Sequence, residues 1–296
     1  MKSGTVALVT YRRRLADFIA LTKPRLNSLV VATTGVGYLL GVNASIEISV
    51  ALHVLLGAGL VAGGAAALNQ IAERDIDESM HRTRQRPIPT GRLTPTEARL
   101  FAVGISLMGL VELALGTNIV TAAVAATTTI IYVAIYTPLK RRTSLATIVG
   151  AIPGALPPVI GWTAARGALT LEAWVLFGIV FFWQIPHFHA LSWMHREDFR
   201  RAGLPLIATQ DEDGRRTGRH AAFFSLLLLP VSLIPTAVGL SGKPYLFFAG
   251  GLGLGFLFLA IQFMTTPTET HARRLFIGSL VYLPALWVFL LASRQW

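Results

Sequence analysis

The chain contains no cysteine among its 296 residues. That excludes disulfides and thiolate metal centres, and it leaves no redox compartment to infer. Charge is nearly as scarce. Only 14% of residues are Asp, Glu, Lys or Arg, whereas soluble domains carry about 25%. Acids are the rarer sign, 15 Asp+Glu against 26 Lys+Arg, for a formal net charge of +11. Walker loops, dinucleotide-binding glycine patterns, nucleophile elbows and HExxH are also missing, which removes the commonest soluble enzyme classes. What is abundant is apolar: 53% hydrophobic residues and a mean hydropathy of +0.58. This is the composition of an integral membrane protein.

Apolar run length predicts an all-α, polytopic protein of about nine spans, since each crossing needs about 20 residues. The expected spans are 27–44, 49–70, 97–115, 118–138, 145–163, 172–192, 221–240, 244–264 and 275–293. Glu112 lies near the far end of the third. Residues 1–26 read as a tail and entry to the first helix, 27–293 as a single transmembrane domain and 294–296 as a C-terminal tail. The N-terminus has Lys2 and Arg12, Arg13 and Arg14 but no small-residue cleavage site, so a basic tail is expected rather than a signal peptide.

Basic residues alternate sharply between the two sides. The tail, the 69–99 loop, Lys140–Arg142, the 196–219 loop and Arg273–Arg274 carry nearly all of them. The opposite connections have only Arg166, Lys243 and Arg294. The positive-inside rule then places the N-terminus and the polar loops in the cytoplasm and the C-terminus outside, and the cell inner (plasma) membrane is the expected host. The same count accounts for the basic pI without nucleic acid. Glycine and proline recur within the spans. GAIPGALPPVIGW (150–162) is expected to bend or pack closely, and GAGL (57–60) and GLGLG (251–255) read as small-residue packing faces.

Chemistry concentrates in the polar stretches. No Asp, Glu, Lys or Arg occurs from Ala51 to Leu68; then comes NQIAERDIDESMHRTRQRP, from Asn69 to Pro87. Asn69, Glu73 and Asp77 step by four residues and share a helix face, with Asp75 beside them. Oxygen-bearing side chains in that arrangement suit a hard cation such as Mg2+. Among the basic residues Arg82 and Arg86, with Lys23 and Arg25, are candidate ligands for an anion, because the guanidinium fork grips phosphate oxygens. The alternative is that they only fix topology, as Arg12–Arg14 are expected to do. YTPLKRRTS (136–144) brings Lys140 and Arg141 to the same side, and WQIPHFHALSWMHREDF (183–199) brings Trp183, His187, His189, His195 and Asp198.

The ordered set of Thr22-Lys23-Pro24-Arg25, Asn-x-x-x-Glu-x-x-x-Asp at 69–77, Arg82 and Arg86-Pro87, YTPLKRRT, GAIPGALPPVIGW, WQIPHF and Asp198-Phe199 resembles the UbiA superfamily of intramembrane prenyltransferases, and more narrowly its haem-farnesylating branch. The resemblance spans nearly the whole chain. It implies a helical bundle around a central cavity. It also implies Mg2+ held by Asn69, Glu73, Asp77 and Asp198, and diphosphate held by Lys23, Arg25, Arg82, Arg86, Lys140 and Arg141. Farnesyl diphosphate would be the donor and haem b the acceptor, beside Trp183, His187 and His189. Haem A synthase or a terminal-oxidase assembly are the implied associates. Three features depart from the family pattern. Gly203–Ala208 reads Gly-Leu-Pro-Leu-Ile-Ala where Gly-Ile-Pro-Met-Leu-Pro is usual. His189 stands where an aromatic is commoner, and the second aspartate motif is reduced to Asp198. Competing expectations are a UbiA-type enzyme acting on a quinone precursor, a secondary transporter, and a haem-binding subunit without catalysis.

Overall fold

A computed structural model describes residues 13–43 and 45–294; Lys2 and Arg12 of the tail, and residues 295–296 of the C-terminal tail, lie outside them. Apart from one isolated bridge between Ser241 and Arg294, the described residues are helical and loop. A short helix α1 (residues 13–21) leads into α2 (Pro24–Gly41) and α3 (Ile48–Ala72), followed by the short α4 (Arg74–Ser79) and α5 (Pro95–Gly116). Next come α6 (Ile119–Ile130), a π-helical segment (Ile131–Tyr136) and α7 (Thr137–Leu139) as one continuous rod. The chain goes on through α8 (Ala146–Ala155), α9 (Pro157–Arg166), α10 (Leu171–Met194), α11 (Arg196–Arg201), α12 (Ile207–Gln210), α13 (Arg215–Ala237), α14 (Lys243–Thr265) and α15 (Glu269–Ala292).

Eight of these rods, among the described residues, are long and apolar enough to cross a bilayer, against about nine expected. The difference is α2, whose 18 residues open with Arg25, Asn27 and Ser28 and so dilute its apolar character. It nonetheless packs lengthwise on α9 and α3. The segment expected to bend or pack closely is interrupted: the 145–163 span divides at Leu156, between α8 and α9, where Pro157 and Pro158 start a new helix. Proline tolerates the first helical turn, where its missing N–H has no partner to lose.

Small residues set the closest approaches. A methyl at Gly37 or Gly161 would strike the carbonyl of Pro158 or Thr34, and one at Gly64 would strike Ser106 Oγ. Gly57 fits the expected packing face. In GLGLG only Gly253 meets a neighbour, Leu229, while Gly251 and Gly255 face open space. Glu112 is not alone in the apolar layer, for His53 Nδ1 lies 2.7 Å from its carboxylate across the α3–α5 seam. Large exposed residues such as Leu52, Leu56, Leu107 and Leu115 clothe the outside. In water such a surface would be an association liability; in a multi-span membrane protein it is the lipid face.

Termini are defined by local chemistry. Thr94 and Glu97 form a capping box that starts α5 after the polar loop. Two small cores then fix the polar end of the bundle. Leu21, Ala67, Ile88, Leu93, Ala98 and Ala102 hold the 80–93 loop against α3 and α5. Ile76, Met80, Phe199 and Leu204 join that loop to the segment after α10. The ends of the second and sixth spans therefore face each other.

Candidate active site

The apolar α3 runs out at Asn69–Ala72, and the chain turns at Glu73 (φ −100°, ψ 10°). The helical ladder survives the turn, with Glu73 N–H donating to Asn69 O at 2.9 Å and Asp77 N–H donating to Glu73 O at 2.8 Å. The four-residue spacing therefore keeps its meaning across the break. Asn69, Glu73 and Asp77 are 2%, 4% and 2% exposed. Buried carboxylates require partners, because desolvation of an unpaired ion costs several kcal/mol, and each has a cation from elsewhere in the chain.

Lys23 Nζ donates to Asn69 Oδ1 at 3.1 Å. Lys140 Nζ lies 3.2 and 3.4 Å from the two Glu73 carboxylate oxygens. Arg86 donates to both oxygens of Asp77 at 2.7 and 2.6 Å. Three oxygen donors on one helix face are thus met by three cations from three other segments.

The scaffold explains how each cation arrives. Lys23 sits just ahead of α2 with φ 48° and ψ 58°, the one non-glycine residue with positive φ among the described residues. A side chain there costs about 1–3 kcal/mol, which the surrounding contacts hold in place. Burial, followed by the nearby Arg86 guanidinium, lowers the Lys23 ammonium pKa to about 8. Arg86 lies in a loop held by Thr83 Oγ1 donating to Asp77 O at 2.9 Å and by the Arg92–Asp17 ion pair at 2.9 Å. Lys140 follows the π segment, in which Tyr132 and Tyr136 stack with centroids 5.6 Å apart.

The other expected residues fall around this cluster. Arg141 donates to Ala72 O at 3.0 Å, capping the end of α3. Arg25 and Arg82 are exposed, and neither side chain joins the Glu73 and Asp77 ion pairs among the described residues. Asp198 crosses from the sixth-span loop, its Oδ1 accepting from His81 N–H at 3.3 Å and from Arg201 at 2.8 Å. Partial burial works against its ionisation, but those hydrogen bonds prevail and hold its pKa below the usual carboxylate range. Its hydrogen-bond partners are these donors rather than the Asn69 face, and no three His, Asp or Glu side chains converge as a cation cage among the described residues.

Trp183 and His187 share a face of α10 directed at α15. Trp183 Nε1 donates to Ser279 O at 2.8 Å, and the His187 ring stacks on Trp183 (5.3 Å) and Phe276 (4.8 Å). Ser279 Oγ gives its proton to Phe276 O, so it accepts from His187 Nδ1 at 2.7 Å. The lone pair of His187 is therefore on Nε2. His189 turns the other way, buried, with His220 of α13 as its ring neighbour at 5.6 Å. The three residues expected beside the acceptor thus divide between two faces.

Two participants had no strong signal in the sequence. Gln70, 1% exposed, donates to Leu21 O at 2.7 Å and ties α3 to α1. Thr137 accepts from Asn69 Nδ2 at 3.1 Å. Two buried carboxylates and an amide oxygen on one face suit Mg2+, which is commonly held by one or two carboxylates and completed by substrate phosphates.

The UbiA prenyltransferase family model matches residues 30–293. Protoheme IX farnesyltransferase of Solibacter usitatus (strain Ellin6076) is 45% identical over 289 residues, covering 95% of this chain and 99% of the relative. A solved structure of digeranylgeranylglyceryl phosphate synthase matches with TM-score 0.81 at 17% identity, over 95% of this chain and 98% of the other. A UbiA homologue from Archaeoglobus fulgidus bound to GPP and Mg2+ matches with TM-score 0.69 at 16% identity, over 94% of this chain and 100% of the other. At those identities the structures show a shared fold; the family model and the relative show descent. The chain therefore belongs to the UbiA prenyltransferase family, in its protoheme IX farnesyltransferase branch.

Proposed function

We propose that the chain transfers the farnesyl group of farnesyl diphosphate to a vinyl group of haem b, with addition of water, giving haem O and diphosphate. The observation that carries this reading is the buried pairing of Asn69, Glu73 and Asp77 with Lys23, Lys140 and Arg86. A diphosphate entering between those partners offers the cations new anionic oxygens and frees the carboxylates and the amide oxygen to hold Mg2+. Bound there, Mg2+ supplies charge neutralisation for the leaving diphosphate.

Chemically, the allylic C1–O bond breaks and its electron pair leaves on the diphosphate oxygen. Lys23, Lys140 and Arg86 donate to the charge that builds there, a role best filled by donors already fixed in place. The vinyl π electrons form the new C–C bond at C1. Water closes the resulting cation and releases a proton, which gives the hydroxyethylfarnesyl substituent. Trp183, His187 and Phe276 offer an aromatic wall for the porphyrin, with His187 Nε2 free to orient it. A dry interior protects both cations from premature water. Charge placement supports a cytoplasmic N-terminus and active-site mouth, an external C-terminus and residence in the plasma membrane.

A prenyltransferase acting on a quinone precursor is the nearest rival. Membranes containing the chain, given farnesyl diphosphate, Mg2+ and an equimolar mixture of haem b and 4-hydroxybenzoate, discriminate by product mass. Farnesylated, hydrated haem is expected; prenylated hydroxybenzoate with unchanged haem would overturn the assignment.

A further inference from the structure

Asn69 is the one neutral member of the buried donor face, and the hydrogen bonds around it decide which way its amide points. Lys23 has only protons to give, so the Asn69 atom it meets at 3.1 Å must be the oxygen. The nitrogen Nδ2 then faces Thr137 Oγ1 at 3.1 Å. That contact works only if the hydroxyl accepts. Thr137 Oγ1 is committed to accepting because its own proton goes to Tyr132 O at 2.8 Å, and a carbonyl can do nothing but accept.

The backbone enforces the arrangement a second time. Thr137 N–H donates to the same Tyr132 carbonyl. That five-residue bond belongs to the π segment Ile131–Tyr136; an α-helix would give Thr137 N–H to Val133 instead. Both donors of Thr137 are therefore spent on Tyr132 O, and a hydroxyl lone pair is left aimed at a residue 2% exposed.

We infer that Thr137 is the positioning residue of this site: it reads the amide of Asn69, turns Oδ1 toward Lys23 and the diphosphate, and excludes aspartate from position 69. A carboxylate there would set an oxygen lone pair against the lone pair of Thr137, or force the hydroxyl to abandon Tyr132 O and loosen the π segment that delivers Lys140 to Glu73. The inference rests on the proposed role of Asn69 as a ligand in prenyl transfer, and it assigns a residue outside the ligand set to the control of that ligand.

The test uses the full chain in membranes with farnesyl diphosphate, haem b and titrated Mg2+. Thr137→Val keeps the shape and removes the hydroxyl; Thr137→Ser restores it. Loss of such an outer hydrogen bond lowers ligand affinity or activity by about 10- to 100-fold. We expect Thr137→Val to raise the half-saturating Mg2+ concentration and the KM for farnesyl diphosphate, to leave the KM for haem b unchanged, and Thr137→Ser to behave as the parent. Asn69→Asp should cost less activity in the Thr137→Val background than alone, since the opposing lone pair is gone. Should Thr137→Val not accumulate, Thr137→Ala carries the same expectations. Parent-like Mg2+ and diphosphate dependence in both, with Asn69→Ala still impaired, overturns the role of Thr137 and leaves the site assignment standing. A fully active Asn69→Ala sinks the site assignment and the inference together.

Discussion

Lys23 shows how much one residue can determine here. Its ammonium is buried, held in a left-handed backbone conformation and lowered to a pKa of about 8 by burial and by Arg86. Below that pH it is charged, as its proposed contact with diphosphate requires; above it the charge is lost. The pH profile of kcat/KM reports free-enzyme groups, so kcat/KM for farnesyl diphosphate should fall as pH rises through about 8. Lys23→Arg should remove that alkaline limb, because guanidinium stays charged. A limb that persists in the variant would assign the titration to another group.

The Asp77–Arg86 pair makes a different demand. Asp77 is 3% exposed at its side chain and Arg86 26%. Removing one partner leaves an uncompensated buried charge and costs about 3–5 kcal/mol. Asp77→Ala should therefore lower the thermal midpoint in detergent sharply. Adding Arg86→Ala should recover most of that loss while leaving prenyl transfer dead. Recovery of activity along with stability would mean the pair is structural.

These residues also mark what could be read from the sequence. Asn69, Glu73 and Asp77 were legible because a four-residue step on a helix has one geometric meaning. Their partners were not, because Lys140 reaches Glu73 across 67 positions and Lys23 reaches Asn69 across 46. Arg82 and Arg86 look alike in the chain; only the fold of the 80–93 loop turns one onto Asp77 and leaves the other exposed. Asp198 is legible as part of the polar loop after α10, but its contact with His81 N–H depends on the Ile76–Phe199 core, which no local pattern announces.

At the scale of elements, the spans follow from apolar run length, and the break at Leu156 follows from two prolines. The π segment does not, since a single extra residue leaves hydropathy unchanged while rotating everything after it. That rotation matters, because Thr137 and Lys140 lie directly beyond Ile131–Tyr136. Inserting one alanine after Val133 should turn Lys140 by about 100° away from Glu73, given 3.6 residues per turn. Helical content by circular dichroism should hold while transfer activity is lost. Retained activity would show that the segment positions nothing.

For the whole molecule, polarity is the organising asymmetry. Lys23, the ends of α3, α7 and α10, and the loops after them occupy one end of the bundle, and lipid-facing side chains cover the rest. The absence of cysteine makes topology directly measurable, since any introduced thiol is the sole one. In intact cells a membrane-impermeant maleimide should label Leu169→Cys and spare Glu212→Cys, two exposed positions on opposite sides. The reverse pattern would invert the orientation and put the diphosphate site outside.

Diphosphate release measured alongside haem O formation shows whether the allylic diphosphate ionises at the buried carboxylate–cation cluster, as proposed. With farnesyl diphosphate, haem b and Mg2+, the parent should yield the two products in equal amounts. Glu73→Gln and Asp77→Asn should each slow both, by about 100- to 1,000-fold, the cost of losing one preorganised stabilising group. Parent-like rates in either variant would place the ionisation elsewhere.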